Sequence, residues 1–306
     1  MAISPPMLLP GDTIGIVTLG SPLSADEIND RIDTIKGMGF KVVVGQHAYA
    51  QNGFLAGTAQ ERASDLMEMF ANDTVKMILP SRGGVGVAGI LPYLDLMFIQ
   101  KHPKLISGYS DITILLNVLA QYANLITLHS LMLIDFNTGT PAYNFDQFFA
   151  ATSVMTAQRQ IQNPPGIQQI SRIAGNVTGP MVGGNLTSFV DTLGTPYEID
   201  TKGKILLLED VHETMNTVYR YIMELQLAGK LDDCIGIVMG MCTDCLNSHG
   251  ESYEDLINNF IVPLNKPLMT NVATGHGTFK AALPIGATVN LDTVNNVLTV
   301  METTVS

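Results

Sequence analysis

The feature that most restricts the fold is the regular alternation of short apolar runs with amphipathic helical segments through the first half of the chain. Thr13 to Val17, entered from the turn Pro10-Gly11-Asp12, is a β-branched run that reads as a first strand. Ser24 and Glu27 form a capping box, and Ile28, Ile32 and Ile35 then recur at helical spacing until Gly37 and Gly39 end the element. Lys41 to Val44 reads as the second strand, and Ala63, Leu66, Met67 and Phe70 mark the next helix. Lys76 to Leu79 and Leu105 to Ile106 follow as buried runs. Strand, helix, strand, helix requires crossover connections, and hence an α/β fold with a parallel sheet wrapped by helices.

The pattern changes near residue 150. A polar stretch, Gln158 to Gln169, is interrupted by Pro164, Pro165 and Gly166 and is expected to be a linker. This predicts an N-terminal domain over residues 1–150, a linker over 151–178 and a C-terminal domain over 179–306. The last of these holds the run Lys204 to Leu208, an amphipathic segment from Glu213 to Leu227, and the run Cys234 to Met239. Two alternating stretches, Ala287 to Leu291 and Val297 to Met301, read as a hairpin. A mixed α/β domain with antiparallel strands is therefore expected.

Charge and hydropathy narrow the function. Sixteen Lys and Arg stand against 28 Asp and Glu, a net charge of −12, and no basic cluster offers the positive field that phosphate backbones or anionic lipids require. No nucleic-acid or membrane partner is expected. The first ten residues carry no basic region, and no apolar run approaches the ~18 residues that span a bilayer. Three cysteines, Cys234, Cys242 and Cys245, argue against a disulfide framework and for a reducing compartment, with the cytoplasm as the expected location.

Ser110 stands where the apolar run Leu105 to Ser107 gives way to a helix beginning near Asp111. Such an elbow presents a hydroxyl beside free helix N–H groups, where partial positive charge favours an oxyanion, and the Asp111 N–H is the natural first donor. The alternative is a plain helix N-cap. Ser81-Arg82-Gly83-Gly84-Val85-Gly86 follows another strand and offers backbone N–H groups unobstructed by side chains; a tight turn is the other reading. A serine nucleophile needs a base. Of the six histidines, His276, flanked by Gly275 and Gly277, and His129, at the end of the run Leu125 to Leu128, are the best placed. The orienting carboxylate is Glu209 or Asp210 after Leu206-Leu207-Leu208, on opposite faces if the strand continues. Cys242-Thr243-Asp244-Cys245 with His249 suggests a zinc or redox role, but the chain has no second cysteine pair to complete four ligands and cysteines after an apolar strand pack well as small hydrophobes, so no metal is expected.

Taken in order, these segments resemble the LD-carboxypeptidase family of serine peptidases, which includes muropeptide-recycling enzymes and microcin C self-immunity peptidases. The resemblance runs through Pro10-Gly11-Asp12, Phe54-Leu55-Ala56-Gly57, Ser81 to Gly86, Gly108-Tyr109-Ser110-Asp111-Ile112, Gly183-Gly184-Asn185-Leu186, Gly194-Thr195-Pro196, Leu208-Glu209-Asp210-Val211, Gly275-His276-Gly277 and Leu283-Pro284-Ile285-Gly286. It implies a flavodoxin-like or glutamine-amidotransferase-like N-terminal domain and a triad of Ser110, Glu209 and His276 divided between the domains. It also implies an oxyanion hole of the Asp111 N–H with Gly83 or Gly84, and no cofactor. Val85, Asn216 and His129-Ser130-Leu131 depart from the family pattern and bear on substrate preference.

The implied reaction is release of terminal D-Ala from peptidoglycan tetrapeptides, with Arg82 as candidate receiver of the substrate carboxylate. A microcin C-type peptidase acting on peptidyl-nucleotide conjugates is the alternative. From another class, a non-catalytic two-domain binding protein would use the glycine turn to hold an anion. The resemblance also implies a homodimer, and because a polar linker cannot fix two domains, its interface is expected to stabilise their orientation.

Overall fold

The computed structural model describes residues 2–306. Strands β1 (Thr13–Val17), β2 (Lys41–Val44), β3 (Val75–Pro80), β4 (Leu105–Gly108) and β5 (Thr127–His129) pair in parallel in the order β5-β4-β3-β1-β2. Helices α1 (Ala25–Gly37), α2 (Ala59–Ala71), α3 (Leu96–Lys101), α4 (Ile112–Tyr122) and α5 (Ala142–Thr152) accompany this sheet. The Ser24 and Glu27 capping box forms as expected, and Ile28, Ile32 and Ile35 are the buried stripe of α1. A second capping box, Thr58 with Glu61, starts α2.

The second half builds β6 (Arg159–Ile161), β7 (Ile170–Ile173), β8 (Asn176–Asn185), β9 (Ile205–Val211), β10 (Gly236–Thr243) and β11 (Leu268–Thr270), with helices α6 (Leu186–Val190) and α7 (Met215–Leu227). Then β12 (Leu283–Ile285) leaves this lobe, and β13 (Thr288–Asp292) and β14 (Val297–Val300) return to it. The eight-stranded sheet has the order β6-β14-β13-β8-β9-β10-β11-β7. Its β8-β9-β10-β11 centre is parallel and its flanks are antiparallel, and β13 and β14 make the expected hairpin. Among the described residues no helix is long and apolar enough to cross a membrane.

The expected linker is not one. Residues 151–178 contain β6, β7 and the start of β8, and β6 and β7 are the two edges of the second sheet. Composition hid them because an edge strand needs only alternate apolar positions: Arg159 and Ile161 are buried while Gln160 is exposed. Pro164-Pro165-Gly166 lies in the connection between them. The expected domain boundary is also crossed by β12, which pairs antiparallel with β5 of the first sheet.

Several buried contacts then fix the two lobes within one chain. The Asn117 amide of α4 donates to Gly183 O (2.9 Å) and accepts from Gly183 N–H (2.8 Å) of β8. Thr113 Oγ1 accepts from Asn185 N–H (3.0 Å), and the Arg159 guanidinium donates to Ala282 O (2.9 Å). Gly184, at φ +136°, lies so close to Thr113 and His129 that a Cβ would overlap both. One apolar cluster runs from Leu66, Ile106 and Leu116 to Leu207, Val238 and Leu291. The two lobes are therefore held within one chain, and a loose inter-domain orientation is no ground for expecting a homodimer.

The Asn117 bridge gives a direct test. Asn117→Leu keeps the branched shape but orphans a buried N–H and C=O at Gly183, and urea unfolding is expected to show a loss on the order of 2–4 kcal/mol.

Candidate active site

At the carboxyl edge of the first sheet, β4 stops at Gly108 and α4 starts at Ile112, so the intervening residues must reverse the chain sharply. Ser110 takes the left-handed conformation, φ +60°. That region costs a non-glycine residue about 1–3 kcal/mol and persists only where the surroundings impose it. Here Ile112 N–H bonds Tyr109 O (3.2 Å) and Thr113 N–H bonds Ser110 O (2.9 Å). The Ser110 hydroxyl is not a helix cap: Asp111 occupies the cap position, and among the described residues no group hydrogen-bonds Ser110 Oγ. Asp111 turns its carboxylate away to accept Val87 N–H at 2.7 Å. Burial pushes this carboxyl up to about 6.

The glycine turn after β3 packs directly on this elbow. A Cβ on Gly83 would lie 2.6 Å from Ser110 Cβ and 3.0 Å from Asp111 N. The turn is held from outside: Ser21 N–H bonds Gly83 O (3.1 Å), Val85 N–H bonds Ser21 Oγ (3.1 Å), and the buried Arg62 guanidinium bonds Gly86 O (2.8 Å) and Leu19 O. Among the described residues the N–H groups of Gly83, Gly84 and Asp111 have no hydrogen-bond acceptor. Arg82 is half-buried and makes no salt bridge or hydrogen bond among the described residues.

Strand alternation separates the two acids of β9. Asp210 accepts from Asn185 Nδ2 (2.9 Å) and from the Thr187 N–H (3.1 Å) and Oγ1 (2.9 Å), so it ties α6 to the sheet. Glu209 faces His276. Its Oε2 accepts from the His276 ring at Nδ1 (2.8 Å) and from the His276 N–H (3.2 Å). Gly275, at φ +77°, explains the glycine before the histidine, since any Cβ there would collide with the Glu209 carboxylate. Burial alone would raise the Glu209 carboxyl, but the His129 and His276 imidazoles at its two oxygens outweigh it and hold it at about 2. His129, the rival base in the sequence, instead lies fully buried on the far side of this acid, Nε2 to Oε1 3.7 Å.

Other residues of the site were missed in the sequence. The Tyr109 ring stands edge-on to His276, with centroids 5.0 Å apart, and its hydroxyl donates to Asp135 (3.2 Å). Lys280 Nζ lies over the Tyr109 ring, 5.2 Å from its centroid, and donates to Gly277 O (2.8 Å). Asn163, within the expected linker, bonds Asn271 O (2.7 Å) and Ala273 N–H (2.8 Å), bracing the approach to His276. Only adjacency to Ser110 and His276 marks Tyr109 and Lys280 in the sequence; Asn163 carries no local signal.

The cysteines also differ from expectation. Cys242 and Cys245 form a disulfide, because Asp244 at φ +52° folds the chain back beyond β10 and brings their Cα atoms to 5.5 Å. Cysteine content thus no longer argues for a reducing compartment. Cys234 is free and buried. Among the described residues no group of three or more His, Cys, Asp or Glu side chains is arranged to hold a metal ion.

Comparison with known proteins identifies the lineage. Residues 14–130 match the LD-carboxypeptidase N-terminal domain and residues 178–291 the LD-carboxypeptidase C-terminal domain. A probable murein peptide carboxypeptidase of Bacillus subtilis is 33% identical over 94% of this chain and 91% of its own length. A murein tetrapeptide carboxypeptidase of Pseudomonas aeruginosa is 26% identical over 91% of this chain and 92% of its own. The solved structure of a microcin C7 self-immunity protein superposes with a TM-score of 0.93 over 99% of this chain and 100% of that one, at 22% identity. The chain belongs to the LD-carboxypeptidase family.

The depressed Glu209 carboxyl makes a pH prediction. A group held at about 2 when folded, against 4.5 when unfolded, contributes stability that is complete above pH 4.5 and is lost as the pH falls toward 2. Glu209→Gln is expected to remain folded at pH 7 but to be less stable by on the order of 2–3 kcal/mol. In paired thermal melts that gap should narrow steadily below pH 4.5.

Proposed function

We propose that this LD-carboxypeptidase-family chain is a serine peptidase that hydrolyses the L,D bond of peptidoglycan-derived tetrapeptides and releases terminal D-Ala. The observation that carries the reading is the 2.8 Å Glu209–His276 contact beside the strained Ser110 elbow, with Tyr109 packed on the His276 ring. Because Glu209 holds Nδ1–H of His276, Nε2 is the nitrogen with the free lone pair. In the bound complex, Ser110 Oγ attacks the scissile carbonyl carbon and gives its proton to Nε2. The oxyanion is received by the Asp111 N–H and a glycine N–H from Gly83 or Gly84, all unpaired among the described residues. Collapse breaks the C–N bond while His276 protonates the departing amine. Water then attacks the acyl-Ser110 carbonyl with His276 as base, freeing the shortened peptide and restoring the serine.

Ser110 makes no hydrogen bond to His276 among the described residues, and such bonds commonly tighten only when substrate is bound. Arg82, with no acidic partner within salt-bridge distance among the described residues, is the cation we assign to the substrate carboxylate. A protein that merely binds its ligand has no use for a strained serine or for a buried acid aimed at a histidine. The names of the relatives from Bacillus subtilis and Pseudomonas aeruginosa support murein peptides as the substrate class.

Mass spectrometry of a muropeptide tetrapeptide incubated with the protein is expected to show loss of one D-Ala; an unchanged tetrapeptide with hydrolysis of an aminoacyl-nucleotide analogue would reverse the substrate assignment. Ser110→Ala and His276→Ala should each lower kcat by roughly 10³-fold or more, with the double variant little worse than either. Arg82→Ala should raise KM far more than it lowers kcat.

A further inference from the structure

Glu209 has two oxygens, and the proposed mechanism uses only one. Oε2 serves His276, whereas Oε1 is fully buried and makes no hydrogen bond within 3.5 Å among the described residues. The group facing it, His129 Nε2, is likewise fully buried without a hydrogen-bond partner among the described residues, and the two atoms are 3.7 Å apart. Two orphaned polar atoms aimed at one another in the interior would be costly unless a proton lies between them. The carboxylate fixes where that proton is: an ionised oxygen can only accept, so the neutral ring must carry its hydrogen on Nε2, toward Glu209. His129 Nδ1 is then an acceptor, 3.2 Å from Thr274 Oγ1, whose single hydroxyl proton is shared between it and Ala281 O at 3.3 Å.

The location of His129 gives this contact more reach than a single bond. His129 ends β5, in register with Gly108, two residues before Ser110. Its ring touches the acid on β9 and, through Thr274, the loop that presents His276. Gly184 keeps the approach open, since a Cβ there would come within 2.9 Å of the His129 ring.

We propose that His129 is a positioning residue: its Nε2–H holds Oε1 so that Oε2 remains aimed at His276, registering the sheet that carries the nucleophile against the sheet that carries the acid. It does not touch substrate. The inference deepens the proposed serine-peptidase reading and rests on it for its kinetic part.

Three substitutions separate the donor from the ring's bulk. In His129→Gln the amide nitrogen reaches about as far as Nε2. In His129→Asn it reaches only about as far as Nδ1, and His129→Leu has no donor. Kinetics on the tetrapeptide should give kcat falling roughly tenfold to a hundredfold for Asn and Leu with KM nearly unchanged, and Gln should recover most of the loss. A second readout needs no substrate: the downfield proton resonance of the His276 Nδ1–H···Glu209 bond, assigned by its disappearance in His276→Ala. It should persist in Gln and broaden or vanish in Asn and Leu. Should Leu fail to fold, the Gln and Asn pair decides alone. Equal loss in Gln and Asn would assign the effect to packing and overturn the proposal, as would wild-type kcat and an unchanged resonance in Asn. If the wild-type protein cleaves no muropeptide, the substrate assignment fails while the resonance series still decides the role of His129.

Discussion

A fully buried carboxylate is among the most expensive groups a protein can hold, and Glu209 is tolerable only because imidazoles lie at both of its oxygens. That requirement propagates outward. The loop before His276 must descend onto the acid, so Gly275 takes a left-handed conformation in which a side chain would strike Glu209. The other imidazole belongs to the first sheet, so the end of β5 must reach the acid on β9, and Gly184 removes the side chain that would strike His129 and Thr113. Two glycines of the motifs that resemble a family signature, Gly184 and Gly275, are in physical terms clearances around one charge.

Ser110, the proposed nucleophile, depends on the same packing from the other side. Ser110 stays in an unfavourable backbone region because β4 leads in, α4 leads out, and the Gly83 turn presses on its Cβ. Arg62 fixes that turn through carbonyls on both sides. The half of the site that carries Ser110 is thus rigidly supported, and the half that carries Glu209 and His276 is braced by Asn163 and Asn117. No second copy of the chain is needed to set their relation.

What was readable in the sequence was local. The Ser24 capping box, the isoleucine stripe of α1, the β13–β14 hairpin and the strand-to-helix elbow at Ser110 are all determined within a few residues. What was not readable depends on partners far along the chain. The β6 and β7 strands looked like linker because their apolar positions are few and their pairing partners are β14 and β11. Glu209 and Asp210 could not be told apart locally, since their difference is which sheet face meets His276. His129 looked like a rival base, and its actual neighbours, Glu209 and Thr274, are distant in sequence. The disulfide was missed because composition reports how many thiols a chain has, not that Asp244 turns two of them together.

The return of β12 to the first sheet has a consequence for the newborn chain. As the polypeptide leaves the ribosome, β1 to β5 can assemble early, but the outer edge of β5 stays unpaired until Leu283 to Ile285 has been made. An uncovered strand edge is a template for pairing with any other extended chain nearby. During that interval the nascent protein exposes the hydrogen-bonding groups of the strand that ends in His129, and chaperone capture or slow translation of the second half would act on that edge.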